Sequence, residues 1–139
     1  MTSPQHKILL VEDDDNLMEM MQLAFEGEGY HLEIARGGFE AVEKAIAFKP
    51  DLILMDVVMP DINGYEAARS IKNCEATKNI PIFFLTAKSM EDDIEEGKKS
   101  GGEMYLVKPF SPFELMQVIH HFFVSAHKPG TGSKSAGFP

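Results

Sequence analysis

The chain predicts an α/β fold: five strand–helix units winding one parallel sheet with helices on both faces. Three observations predict it. Short apolar runs alternate with amphipathic stretches along the chain. Such alternation implies a parallel sheet, since a parallel connection needs a crossover long enough to hold a helix. Several apolar runs also end abruptly on charge: Lys7-Ile8-Leu9-Leu10-Val11 on Glu12-Asp13-Asp14-Asp15, Leu52-Ile53-Leu54-Met55 on Asp56, and Tyr105-Leu106-Val107 on Lys108. If the strands are parallel neighbours, these charged groups share one edge of one sheet.

Each element has its own signal. Ile8–Val11 is the first strand. Leu17, Met18, Met21, Ala24 and Phe25 follow at helical spacing, with Asp14 or Asp15 as N-cap and Gly27 and Gly29 closing the helix. His31–Ala35 is the second strand. Phe39, Val42 and Ile46 mark a helix that starts after Gly37-Gly38 and stops at Pro50. Leu52–Met55 is the third strand. Asn63-Gly64 is a turn signal before a helix carrying Ala68 and Ile71 on one side. Pro81–Leu85 is the fourth strand, and Ser89-Met90-Glu91-Asp92 reads as a capping box opening the fourth helix. Met104–Val107 is the fifth strand. Ser111-Pro112 opens a last helix striped with Leu115, Met116, Ile119, Phe122 and Phe123.

Right-handed crossovers restrict how five such units connect. The flavodoxin-like order 2-1-3-4-5 is the natural arrangement, and it brings Asp13 beside Asp56. The carboxyl edge of an open α/β sheet is also where ligands bind.

Composition narrows the function. The 139 residues suit one domain with one core, expected over residues 1–127, and 44% are hydrophobic. The Gly- and Ser-rich stretch 128–139 reads as a flexible tail, a linker end or an expression remnant. No apolar stretch approaches the ~18 residues of a membrane span, which argues against a membrane partner. Residues 1–6 lack a signal-peptide pattern, and the single cysteine, Cys74, has no internal partner. Both fit a cytoplasmic location. A net charge of −9 argues against a nucleic-acid surface on this domain, without excluding one on a further domain.

Carboxylates gathered at one sheet edge repel each other, so a counter-charge is needed. A divalent cation with a preference for hard oxygen ligands, Mg²⁺, meets that need and joins carboxylates to phosphate. A backbone carbonyl just past Asp56 could add an oxygen, Lys108 a fixed positive charge, and Thr86 a hydroxyl. An aspartate can attack phosphorus to form an aspartyl phosphate. Such a transfer needs mainly positioning and neutralisation of the phosphoryl oxygens. Asp56, standing alone after its strand, is the best nucleophile.

Taken together, these motifs resemble the response-regulator receiver domain of two-component signalling, in its chemotaxis-regulator-like form. The matching segments are Ile8-Leu9-Leu10-Val11-Glu12-Asp13-Asp14, Asp51–Asp56 with Met59-Pro60-Asp61 and Asn63-Gly64, Pro81–Ala87, and Tyr105–Phe110. They come in family order and cover about residues 6–126. Each is weak alone; the set is specific. The resemblance implies that Asp56 accepts a phosphoryl group from a sensor histidine kinase or histidine phosphotransfer protein. It implies Asp13 as a direct Mg²⁺ ligand, Glu12 as a ligand through water, and the Val58 carbonyl as a further ligand. It gives Thr86 and Lys108 to the phosphoryl oxygens and suggests a cis bond between Lys108 and Pro109. Phosphorylation would draw Thr86 inward with Tyr105 and change the helix 4–strand 5–helix 5 surface. The domain would then act as a signalling phosphoacceptor, not an enzyme, that assists its own phosphorylation and dephosphorylation. The output would be an unknown partner protein or an effector domain beyond this chain, and the state a monomer or a weak phosphorylation-dependent dimer.

Two features bear on the switch. Met90 and Ile94 are the clear apolar anchors of the fourth helix, which is therefore expected to be locally soft. Gly102 stands where the family more often has Ala, which predicts a looser approach to the fifth strand. Lys88 and Val58 are expected to border the phosphoryl group. His120, His121 and His127 read as solvent-exposed, and the nine methionines as core filling.

Competing readings use the same residues. The Glu12–Asp15 cluster could be a solvated N-cap, and Tyr105 plain core packing. A Mg²⁺-dependent aspartyl-phosphate phosphohydrolase could use Asp13-x-Asp15, although Leu17 stands where the haloacid dehalogenase motif has a small hydroxyl residue. A flavodoxin shares the topology, but four acidic residues after the first strand would repel a flavin phosphate. A stand-alone module that binds partners without phosphorylation is the remaining alternative.

Overall fold

The computed structural model describes residues 6–87, 91–108 and 110–126, with backbone alone for 91–94 and 126. The elements alternate as β1 (Lys7–Val11), α1 (Asp15–Gly27), β2 (His31–Ala35), α2 (Gly38–Phe48), β3 (Leu52–Asp56), α3 (Gly64–Lys72), β4 (Ile82–Thr86), α4 (Glu91–Lys99), β5 (Met104–Val107) and α5 (Pro112–Ala126). The strands form one parallel sheet in the order β2-β1-β3-β4-β5. Class, order and element sequence are those read from the chain.

Strand alternation distributes side chains to two cores. Leu9, Val11, Ile53, Met55, Ile82 and Phe84 point to one face, where Ala41, Ala45, Tyr65, Ala68 and Ile71 of α2 and α3 cover them. Ile8, Leu10, Leu52, Leu54, Phe83 and Leu85 point to the other, against Met18, Met21 and Phe25 of α1 and Leu115, Ile119 and Phe123 of α5. Because both faces are covered, β3 and β4 are buried at every position. Each large side chain so buried stabilises the fold by about 1.5–3 kcal/mol before ordering entropy is set against it.

Helix ends follow from local chemistry. Asp14 is the N-cap of α1, its side chain accepting from the Asn16 and Leu17 amides, and Asp15 falls inside the helix. Asn63 and Glu66 form a reciprocal capping box on α3. Ser111 and Glu114 do the same for α5. The capping box expected at Ser89–Asp92 lies outside the described residues, as do the anchors Met90 and Ile94 (the latter as a side chain), Lys88, Pro109, His127 and the tail. His120 and His121 are exposed, and Cys74 is half-buried just after α3.

Three readings need correction. Phe39 and Ile46 mark α2 by their spacing, yet they are 62% and 42% exposed while Gly38, Ala41 and Ala45 make the buried stripe. Close packing of α2 against α3 and the loop before it favours small residues: a Cβ on Gly38 would sit 2.3 Å from Cγ1 of Ile62, just ahead of α3. Gly102, for its part, does not loosen β5. A Cβ there would lie 2.5 Å from the Phe84 ring, so the missing methyl's space is taken by a larger aromatic on β4. Met20 is also 48% exposed, so the methionines are not all in the core.

Candidate functional site

Strands β1, β3 and β5 deliver charge to one edge, and β4, between the last two, delivers Thr86. Val11 pairs with Met55, so the next residues, Glu12 and Asp56, stand side by side. Thr86 pairs with Val107, and the Lys108 amide donates to the Thr86 carbonyl at 2.7 Å, carrying Lys108 past the end of β5. Strand pairing thus brings together residues up to 96 positions apart in sequence.

Carboxylate oxygens of Glu12, Asp13 and Asp56 lie within 4.8 Å of one another. Glu12 and Asp56 are buried, at 1% and 5% exposure, while Asp13 faces solvent. Lys108 Nζ donates to Glu12 Oε1 at 2.9 Å and stands 3.6 Å from Asp56 Oδ2. Thr86 is fully buried at the end of β4. Val58 is exposed, and its backbone N–H bonds to the Asp56 carboxylate. The structure therefore gathers Glu12, Asp13, Asp56 and Lys108 directly, with Thr86 at the end of β4 and Val58 on the loop just past β3. Asp15 lies apart from the cluster, paired with Arg36 at 2.6 Å, which removes the Asp13-x-Asp15 geometry that a phosphohydrolase reading needed.

Electrostatics define the charge balance of the site. Burial, and then the nearby charge of Glu12, push the Asp56 carboxyl from its ordinary 3.8 up to about 6, against the lowering pull of Lys108 and the Val58 amide. Burial would lower the Lys108 ammonium, but its hydrogen bond to Glu12 and the charges of Asp56 and Glu12 hold it above its ordinary value. One lysine thus leaves net negative charge among buried carboxylates. A hard divalent cation fits this donor set, which offers clustered anionic oxygens with one side open to water.

Two contacts near the site gave no clear sequence signal. The Tyr65 and Tyr105 hydroxyls, both on buried rings, meet at 3.1 Å. Tyr65 also sets its ring edge against Phe84, with centroids 5.0 Å apart. The Asp61 carboxylate accepts from the Gly38 and Phe39 amides at 2.8 and 3.0 Å. Each joins residues more than twenty positions apart and so leaves no local pattern.

Comparison with known proteins agrees with this arrangement. The family model of the response regulator receiver domain matches residues 8–120. A probable transcriptional regulator, ycf29, of Pyropia yezoensis is 40% identical over 116 residues, or 84% of this chain and 52% of the relative. The DNA-binding response regulator MtrA of Mycobacterium tuberculosis is 35% identical over 84% of this chain and 50% of its own. The chain thus spans about half the length of these curated relatives. Among solved structures, the chemotaxis response regulator CheY4 of Vibrio cholerae is 32% identical, with a TM-score of 0.80 over 85% of this chain and 98% of that one. The receiver domain of sensor histidine kinase PA1611 from Pseudomonas aeruginosa, with magnesium coordinated in its active-site cleft, is also 32% identical, with a TM-score of 0.79 over 87% of this chain and 99% of that one.

The chain belongs to the response regulator receiver domain family of two-component systems. This is a family of signalling domains, not of classical enzymes.

Proposed function

We propose that Asp56 is the phosphoacceptor of this receiver domain, and that Mg²⁺ bound by Asp13, Asp56 and the Val58 carbonyl, with Glu12 through water, supports the transfer. The observation that carries the reading is the raised carboxyl of Asp56 beside Glu12, Asp13 and Lys108, a buried anionic cluster with one lysine set against it. An Asp56 oxygen attacks phosphorus; the bond from phosphorus to the donor, a kinase or phosphotransfer-protein imidazole, breaks, and the donor leaves with its electron pair. Bound Mg²⁺ would supply positive charge to the phosphoryl oxygens. Lys108 Nζ stands where it can donate to one of those oxygens after letting go of Asp56, and the Thr86 hydroxyl serves another. Glu12 keeps the lysine oriented throughout.

The new group adds roughly −1.5 to −2 of charge at the end of β3. Thr86 responds to it, Tyr105 follows, and the α4–β5–α5 surface changes its partner preference. Residues 1–127 form the receiver unit and 128–139 a tail or linker. The domain is cytoplasmic, a monomer or weak phosphorylation-dependent dimer, does not itself bind nucleic acid, and passes its signal to a partner protein or an attached effector domain. The same groups let it assist its own phosphorylation and dephosphorylation.

The test is intact mass after incubation with Mg²⁺ and acetyl phosphate, with wild type beside Asp56→Asn. One phosphoryl group should appear in wild type only and vanish on metal chelation. Equal mass in both, with acetyl phosphate and with a histidine kinase, would mean a domain that binds partners without phosphorylation.

A further inference from the structure

Helix α2 begins without a cap of its own. Its N-cap residue is Gly37, which has no side chain to accept from the first amides. The acceptor comes from the β3–α3 loop, 24 residues on. Asp61 Oδ1 takes the Gly38 amide at 2.8 Å and Oδ2 the Phe39 amide at 3.0 Å. These two hydrogen bonds, Phe39 first, hold the Asp61 carboxyl below its ordinary range, as expected of an anion set on a helix N-terminus.

The two glycines are shaped for this contact. A Cβ on Gly37 would lie 2.9 Å from Asp61 Oδ2, and one on Gly38 would lie 2.3 Å from Ile62 Cγ1 and 3.1 Å from the Ile62 carbonyl. A side chain at Gly37 would displace the Asp61 carboxylate, and one at Gly38 would press on Ile62 of the loop. The loop is also fastened at its ends. The Gly64 amide donates to the Val57 carbonyl at 2.8 Å, and the Val58 N–H donates to Asp56. Gly64 itself packs so closely that a Cβ would come 2.4 Å from the Asp56 carbonyl. Between those fastenings runs the segment Val58-Met59-Pro60, and Asp61 is its next anchor.

We infer that Asp61 is a positioning residue: by capping α2 from the β3–α3 loop, seated on Gly37-Gly38, it holds the Val58 carbonyl where the cation needs it. This rests on the metal-binding reading proposed above. Asp61 holds the α2 amides and is not one of the carboxylates clustered at the strand ends. Its effect runs through a short, twice-anchored loop, so releasing it widens the range of positions open to one metal oxygen.

The test compares wild type, Asp61→Ala, Asp61→Asn and Thr77→Val. Thr77 is a buried control in the turn after α3, its hydroxyl donating to the Ile71 carbonyl at 2.6 Å. Amide hydrogen exchange reads Gly38, Phe39 and Val58 in the metal-free protein. Electron paramagnetic resonance of free Mn²⁺ reads the dissociation constant, with Mg²⁺ as competitor. Asp61→Ala should speed exchange at all three amides and weaken Mn²⁺ binding by about tenfold, the lower end for outer partners of a metal site. Asp61→Asn, which keeps one acceptor oxygen, should fall between. Thr77→Val should leave Mn²⁺ affinity within about twofold of wild type whatever its loss of stability. Unchanged Mn²⁺ affinity in Asp61→Ala, or an equal loss in Thr77→Val, overturns the inference while leaving the metal site standing. Absence of Mn²⁺ binding in wild type overturns the metal reading and, with it, this role of Asp61.

Discussion

Replacing Asp56 by Asn should stabilise the metal-free protein. The carboxyl of Asp56 is raised from 3.8 to about 6, chiefly by burial and then by Glu12. At about 1.4 kcal/mol per pH unit, ionising it in the fold costs on the order of 3 kcal/mol more than in the unfolded chain. The sign follows from proton binding. Between pH 3.8 and about 6 the fold holds this proton more tightly than the unfolded chain does. Wild-type stability therefore falls as pH rises through that window and levels off above it. Asparagine keeps the shape, and its amide oxygen can still accept from the Val58 N–H. It leaves Lys108 to Glu12 alone, at 2.9 Å. Urea unfolding in the presence of chelator should therefore find Asp56→Asn more stable by about 3 kcal/mol at pH 7.5, with an unchanged slope. The gap should shrink by roughly half by pH 5. Saturating Mg²⁺ should narrow it from the other side, adding about 2.7 kcal/mol to wild type at a hundred times its dissociation constant. A variant no more stable than wild type at pH 7.5, or a gap that ignores pH, would refute the argument that buried like charge sets this site's energetics.

Other substitutions probe the neighbouring contacts. Lys108→Met leaves Glu12 and Asp56, both almost fully buried, facing each other without their cation. It should lower metal-free stability by about 2 kcal/mol, less than for a fully buried pair because the lysine is partly exposed, and Mg²⁺ should restore most of it; urea midpoints with and without Mg²⁺ check this. Gly102→Ala drives a Cβ into the Phe84 ring and should cost about 1–3 kcal/mol by thermal or urea unfolding. In a Phe84→Leu background that loss should largely disappear, and a double-mutant cycle measures the coupling.

Much of this domain is legible in one dimension. Periodicity depends on residue spacing, so the strands at Ile8–Val11, His31–Ala35, Leu52–Met55 and Met104–Val107 could be read directly, and alternation with crossover handedness then left few sheet orders, of which the observed one was the natural choice. Glu12, Asp13, Asp56, Thr86 and Lys108 were legible for a related reason. Each ends a strand or follows one within two residues, and parallel pairing brings strand ends together. Helix faces were harder. On α2, Phe39 and Ile46 look like the inward stripe, but the narrow gap beside α3 admits Ala41, Ala45 and Gly38 instead. Only the packed structure could decide what fills the space above Gly102, since Phe84 lies eighteen residues away on another strand. The same holds for Asp61 on the α2 amides and for Tyr65 on Tyr105. A sequence determines which residues a strand or helix can carry to its end. Which distant partner meets each of them there depends on distances between elements, and close packing alone sets those.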